Sequence, residues 1–161
     1  MLPVWYERKY PSFNDLESFA GTLGALVGVV EVPGALYVPA GAVQDESPPL
    51  IMIPESAGTL ERLWLLAHEV GHLAMHFGSA SPARASKVEA QADRWAARAL
   101  IPEAAVQRYK NASVDAFIGA LSKHYEDLPL ANCRAREVAG IIAGIRLSMV
   151  EDQPDNKEEA V

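Results

Sequence analysis

The chain has 161 residues, half of them apolar, enough for a single hydrophobic core of ordinary composition. Its 21 acidic residues outnumber 14 Lys and Arg for a formal charge of −7, which argues against direct nucleic-acid binding, because affinity for DNA depends on neutralising phosphates. A lone cysteine, Cys133, excludes an intrachain disulfide framework and suits a reducing compartment.

The first nine residues lack the basic start and apolar core of a signal peptide. The most apolar stretch, residues 20–32, is interrupted by Gly21, Gly24 and Gly28 and is too short to span a bilayer, so cytoplasmic residence without membrane attachment is expected. Ser12 or Asn14 can cap a first helix running to about Val27, with Leu16, Phe19, Ala20 and Leu23 on its buried face. The period then changes. Residues 29–32 and 35–38 read as two strands joined by the turn Pro33-Gly34, a hairpin signal. After a polar loop over 41–49, residues 50–53 form a third strand that Pro54 ends.

A second helix starts near Ser56 or Thr59 and runs through His76, turning Leu60, Leu63, Trp64, Ala67 and Gly71 to the core. Gly71 costs this helix about 1 kcal/mol relative to Ala, which points to close approach of a neighbouring element. Phe77-Gly78 ends it, Ser81-Pro82 or Ser86 opens the next helix, and Pro102 stops or kinks that one after Trp95 and Ala99 have packed inward. Two further helices, 114–125 and 131–149, are split by Asp127-Leu128-Pro129. Phe117, Leu121, Val138, Ile142 and Ile145 recur there at helical spacing, which marks core rather than a DNA-reading head. The acidic end, 150–161, lacks apolar period and reads as a flexible tail. The expected fold class is α+β: one domain over 1–149, with a helix and sheet in 1–54, metal-site helices in 56–102 and closing helices in 103–149.

Three of the four histidines, His68, His72 and His76, fall within nine residues of the second helix. In His68-Glu69-Val70-Gly71-His72 the imidazoles are four apart and share a helical face, so both can reach one metal, while Glu69 sits one step round, where it can take a proton from metal-activated water. Zinc on three protein ligands lowers the pKa of bound water from about 15.7 toward about 7. The same pentapeptide also arises on amphipathic helices where its side chains are merely solvated. A third ligand is therefore the decisive feature, and Glu89 is the candidate. Asp93, again four residues on, can accept the second N–H of a ligating histidine and fix its tautomer. Ser86 and Glu89 also fit a capping box, in which Glu89 would only bond the start of its own helix. Cys133 lies between no catalytic partners and reads as a helix residue, although Arg134 and Arg136 could lower its thiol pKa.

The order of residues 50–53, the His68 to His72 helix, and Glu89 through Ala99-Leu100-Ile101-Pro102 resembles the ImmA/IrrE family of zinc metallopeptidases over about residues 48–102. These are gluzincins, and the resemblance implies a zincin-like domain: a small sheet of about three strands, antiparallel or mixed, on a mainly helical core. It implies Zn2+ on His68, His72 and Glu89, with another divalent metal such as Mn2+ possible in its place, and Glu69 as base. Gln91, Asp93, Trp95 and Ile101 stand where that family commonly has Glu, Asn, Phe and Met, and none of these departures removes a ligand or the base. His76, a further turn along, is too far to join the same ion and reads as a supporting or packing residue. In gluzincins an edge strand beside the metal helix pairs with substrate backbone, and residues 50–53 are the candidate strand. The stabiliser of the oxyanion is left open among His124, Tyr125 and Tyr37. The resemblance also implies a protein substrate, a helix-turn-helix DNA-binding repressor of a mobile element or stress response. The alternative is a module on the same fold that holds such a regulator without cutting it.

Overall fold

In the computed structural model, described over residues 2–75, 85–109, 111–125 and 133–151, the chain order is α1 (Phe13–Thr22), β1 (Leu26–Val30), β2 (Leu36–Val38), β3 (Leu50–Pro54), α2 (Thr59–Met75), α3 (Ala85–Leu100), α4 (Glu103–Tyr109), α5 (Val114–His124) and α6 (Cys133–Glu151). His76, Phe77-Gly78, Ser81-Pro82, Asp127-Leu128-Pro129 and residues 152–161 of the expected tail lie outside the described residues.

Ser12 starts α1 with a complete capping box: its hydroxyl accepts from the Asp15 N–H at 3.1 Å, and the Asp15 carboxylate accepts from the Ser12 N–H at 2.8 Å. The helix stops at Thr22, well short of Val27. Gly24 takes a left-handed φ of 85°, its N–H reaches the Gly21 carbonyl at 3.0 Å, and the Ala25 N–H reaches the Ala20 carbonyl at 3.0 Å. That paired bonding satisfies the last helical carbonyls and frees Leu26 to begin a strand three residues earlier than the pattern suggests.

The sheet is mixed, with spatial order β1-β3-β2. β3 runs parallel to β1, from Leu26 opposite Leu50 to Val30 opposite Pro54, and antiparallel to β2, where Tyr37 faces Ile51. The expected hairpin across Pro33-Gly34 is therefore absent: Val32 closes a tight turn onto the Val30 carbonyl at 3.0 Å, and the place beside β1 is taken by β3. Burial explains the order. Ile51, Ile53 and Pro54 are buried, whereas the residues of β1 and β2 are exposed or half-exposed, so the most apolar strand sits in the middle. β3 is thus no edge strand. Its two sides are both occupied, and the expectation that residues 50–53 offer a free edge to substrate is corrected.

Leu60, Leu63, Leu66, Ala67 and Val70 of α2 meet Trp95, Ala96 and Ala99 of α3 in one core with Ile51, Ile53, Leu16 and Phe19. The helices cross at Gly71, where a Cβ would lie 3.0 Å from the Ala92 carbonyl oxygen and 3.2 Å from its Cα. Only glycine allows that separation. Nearby, the Trp95 ring stacks on Phe19 with 6.1 Å between centroids and 9° between planes.

Pro102 does end α3, but the same residue opens α4, an element without a sequence signal of its own: its carbonyl accepts from the Ala105 and Val106 N–H groups at 2.9 and 3.2 Å. The bend is tied to α6 by Arg146, which is buried, donates from Nε to the Ile101 carbonyl at 3.0 Å and pairs with Glu103 at 2.8 Å. α6 continues through Glu151, past the expected end at Met149. Among the described residues no helix is long and apolar enough to cross a membrane.

Candidate metal centre

α2 presents His68 and His72 one turn apart, with their rings edge to face at 81° and 4.7 Å between centroids. Their Nε2 atoms are 3.0 Å apart. Across the close helix crossing, α3 brings Glu89 against both: Oε2 lies 3.1 Å from His68 Nε2 and Oε1 lies 3.2 Å from His72 Nε2. One turn farther along α3, Asp93 Oδ1 lies 2.8 Å from His68 Nδ1. Gly71, between the two imidazoles in sequence, abuts Ala92, between the two carboxylates, and this close crossing brings the two pairs together. The side chains of His68 and His72 are 19% and 23% exposed and that of Glu89 57%, which leaves the cluster open to solvent on the α3 side.

The donor set can be tested for a cation. A carboxylate only accepts, so the 2.8 Å contact with Asp93 assigns the hydrogen to His68 Nδ1 and leaves Nε2 with a lone pair in the neutral ring. That lone pair faces another imidazole nitrogen and a carboxylate oxygen at 3.0 and 3.1 Å. Acceptors crowded in this way repel unless a positive ion or additional protons lie among them. Ligands about 2.0–2.2 Å from a tetrahedral zinc stand about 3.3–3.6 Å from one another, close to the separations found. The ligand atoms of His68, His72 and Glu89 form a group of metal-binding type, all within 4.8 Å.

Glu69 is half-buried beside this group. Burial pushes its pKa up, the His68 ring opposes that rise, and the Glu89 carboxylate adds to it. A carboxylate so placed is a stronger proton acceptor than one in open water. The Trp64 indole, 6.3 Å from the His68 ring between centroids, flanks the same face. The capping-box alternative for Glu89 does not fit the helix start, because α3 already includes Ser86. Of the oxyanion candidates, Tyr125 is buried with its hydroxyl donating to the Pro11 carbonyl at 3.0 Å, and burial pushes its phenol pKa up. His124 stacks on Tyr10, and Tyr37 stands exposed on β2. Two of the three thus have structural partners of their own. His76 lies outside the described residues.

Two imidazoles on one helix, a carboxylate on the helix that crosses it and a small mixed sheet alongside define a zincin-like metal-site domain. The family model described as the IrrE N-terminal-like domain, a peptidase family, matches residues 27–126, from β1 through α5 and including the whole cluster. The chain belongs to that family. No curated protein and no solved structure matches the chain. Membership carries metallopeptidase activity as the general class of function.

Proposed function

We propose that the protein is a zinc-dependent endopeptidase in which His68, His72 and Glu89 hold the metal and Glu69 moves the proton. The convergence of ligand atoms from His68, His72 and Glu89 within 4.8 Å of one another is the observation that carries this reading. His68, His72 and Glu89 would hold the ion, and zinc held there would supply Lewis-acid chemistry suited to activating water near neutral pH. Glu69 takes the proton from the attacking water on its carboxylate and returns it to the amide nitrogen as the peptide bond breaks. Asp93 keeps the hydrogen on His68 Nδ1, so that Nε2 stays available and the ring stays oriented. With β3 enclosed, an extended substrate segment finds its open strand edges on β1 and β2.

The substrate we favour is a DNA-binding repressor of the helix-turn-helix type, cut in the cytoplasm. The family resemblance suggests it, and a chain of charge −7 suits a basic partner. The test is incubation of the zinc-loaded protein with a candidate helix-turn-helix repressor, read by mass spectrometry of fragments, with Glu69→Gln as control. Cleavage by the natural protein and not by the variant is expected. Stable complex formation by both proteins with cleavage by neither would establish the non-cleaving module instead. Reloading with Mn2+ in the same assay identifies the working metal.

A further inference from the structure

A second concentration of charge shares no residue with the metal cluster. The segment before α1, α4 and α5 enclose a cleft of about 640 Å³ into which Arg8, Lys9, Arg108, Lys123 and His124 converge, with no Asp or Glu in its lining. In a chain where acids outnumber bases 21 to 14, an acid-free lining with this many basic residues is not what composition alone predicts. Helix ends explain part of it. Arg108 and Lys123 sit in the last turns of α4 and α5, where the terminal carbonyls favour cations. That preference places each charge on its own helix but does not aim both, together with Arg8 from a separate segment, at one cavity. Asp15 neutralises Lys9 at 3.1 Å, and Arg108 lies over the Tyr109 ring at 5.6 Å. Among the described residues, Arg8, Arg108 and Lys123 have no carboxylate partner. Three full positive charges outweigh the two half-charges of the helix C-termini.

The floor of the cleft is different in character. Pro102, Ala104, Ala105 and Ala120 make it apolar, and Tyr10, whose ring stacks on His124 with 3.7 Å between centroids, also lines the cleft. A volume of this size lies within the range of about 300–1,000 Å³ typical of small-molecule sites. We propose that the cleft binds a phosphate-bearing small molecule of nucleotide size, its phosphate held by Arg8, Arg108 and Lys123 and its apolar body resting on the alanine floor. Several cations around one point match a dianionic phosphate better than a singly charged carboxylate, and guanidinium groups match its paired oxygens. A nucleic-acid strand is disfavoured, because beyond the cleft the chain's net charge is strongly negative.

The experiment is calorimetric titration of the full zinc-loaded chain with adenosine monophosphate and, separately, with inorganic phosphate, repeated on the Arg108→Ala, Lys123→Ala double variant. Saturable binding of the nucleotide is expected, weakened by about tenfold or more in the double variant, since charge-assisted hydrogen bonds are removed. Zinc content and circular dichroism should be unchanged. Arg8→Ala, on a separate segment, should repeat the loss. Equal affinity for inorganic phosphate identifies the phosphate alone as the recognised group, and tighter nucleotide binding brings in the floor. Absence of saturable binding by both up to about 1 mM, an affinity unaffected by the double variant, or binding of a single-stranded oligonucleotide or an acidic peptide alone would overturn the proposal.

Discussion

Replacing Gly71 by Ala tests whether the α2 and α3 crossing sets the metal geometry. In an unobstructed helix the change stabilises by about 1 kcal/mol. Here the new methyl would stand 3.0 Å from the Ala92 oxygen, 3.2 Å from its Cα and 3.4 Å from Trp95 Cβ, against an ordinary contact of about 3.5–4.0 Å. None of these atoms can rotate away, and Ala92, Trp95 and Ala96 are buried, so α3 must retreat as a body by about half an ångström. Overpacking of this kind costs about 1–3 kcal/mol, and subtracting the helix gain leaves a net loss of about 0–2 kcal/mol. At about 2–4 °C per kcal/mol for a chain of this size, melting of the metal-free protein should fall by several degrees at most. Metal binding should suffer more. Glu89 and Asp93 ride on α3, and a shift of that size exceeds the tolerance of about 0.2 Å on metal-ligand distances. Zinc affinity, measured by competition against a chromophoric chelator, should drop by about tenfold or more. Gly144→Ala is the control: on α6 its added Cβ meets nothing within 4 Å, and it should stabilise without touching zinc. A Gly71→Ala protein stabilised like the control, with zinc affinity intact, would refute the idea that this crossing positions the site.

Asp93→Ala should leave the fold intact and weaken zinc binding by about 10- to 100-fold, because His68 loses the acceptor that orients it; an unchanged competition titration would remove Asp93 from the site. Arg146→Met should destabilise by about 1–4 kcal/mol in urea unfolding, combining the orphaned Ile101 carbonyl with a half-exposed ion pair worth under about 1 kcal/mol; a loss below about 0.5 kcal/mol would contradict the role given to it. The pH dependence has a definite sign. A hydrogen bond from Gln107, then the Arg146 guanidinium, hold the Glu103 carboxyl below its usual range despite partial burial. Its contribution is therefore present above the unfolded pKa of about 4.3 and is lost as pH falls through the lower folded value. Unfolding free energy should decline over that interval, less steeply in Arg146→Met than in the natural protein.

Features that depend on one turn of helix are legible in the chain. His68 with His72, and Glu89 with Asp93, are each four residues apart, and the structure joins the two pairs at the place where Gly71 forecasts close packing. What depends on partners distant in sequence is not legible. Three glycines, Gly21, Gly24 and Gly28, could each end α1, and only the backbone selects Gly24. Pro33-Gly34 is a sound turn signal, yet the partner of β1 is decided by the greater burial of Ile51 and Ile53. Pro102 reads as a terminator because nothing local says that its carbonyl also starts α4. Nothing local in the apolar helix that carries Arg146 signals its burial, because the carbonyl that accepts from it belongs to Ile101 at the α3 to α4 bend.

The central place of β3 also orders assembly in time. β1 and β2 form their ladders only with it, so during synthesis the first 49 residues have no completed sheet to join. Until residues 50–54 clear the ribosome, the backbone N–H and C=O groups of β1 lack their ladder partners in the nascent chain. Damage to this middle strand therefore leaves both outer strands without a template and exposes them to association with other chains.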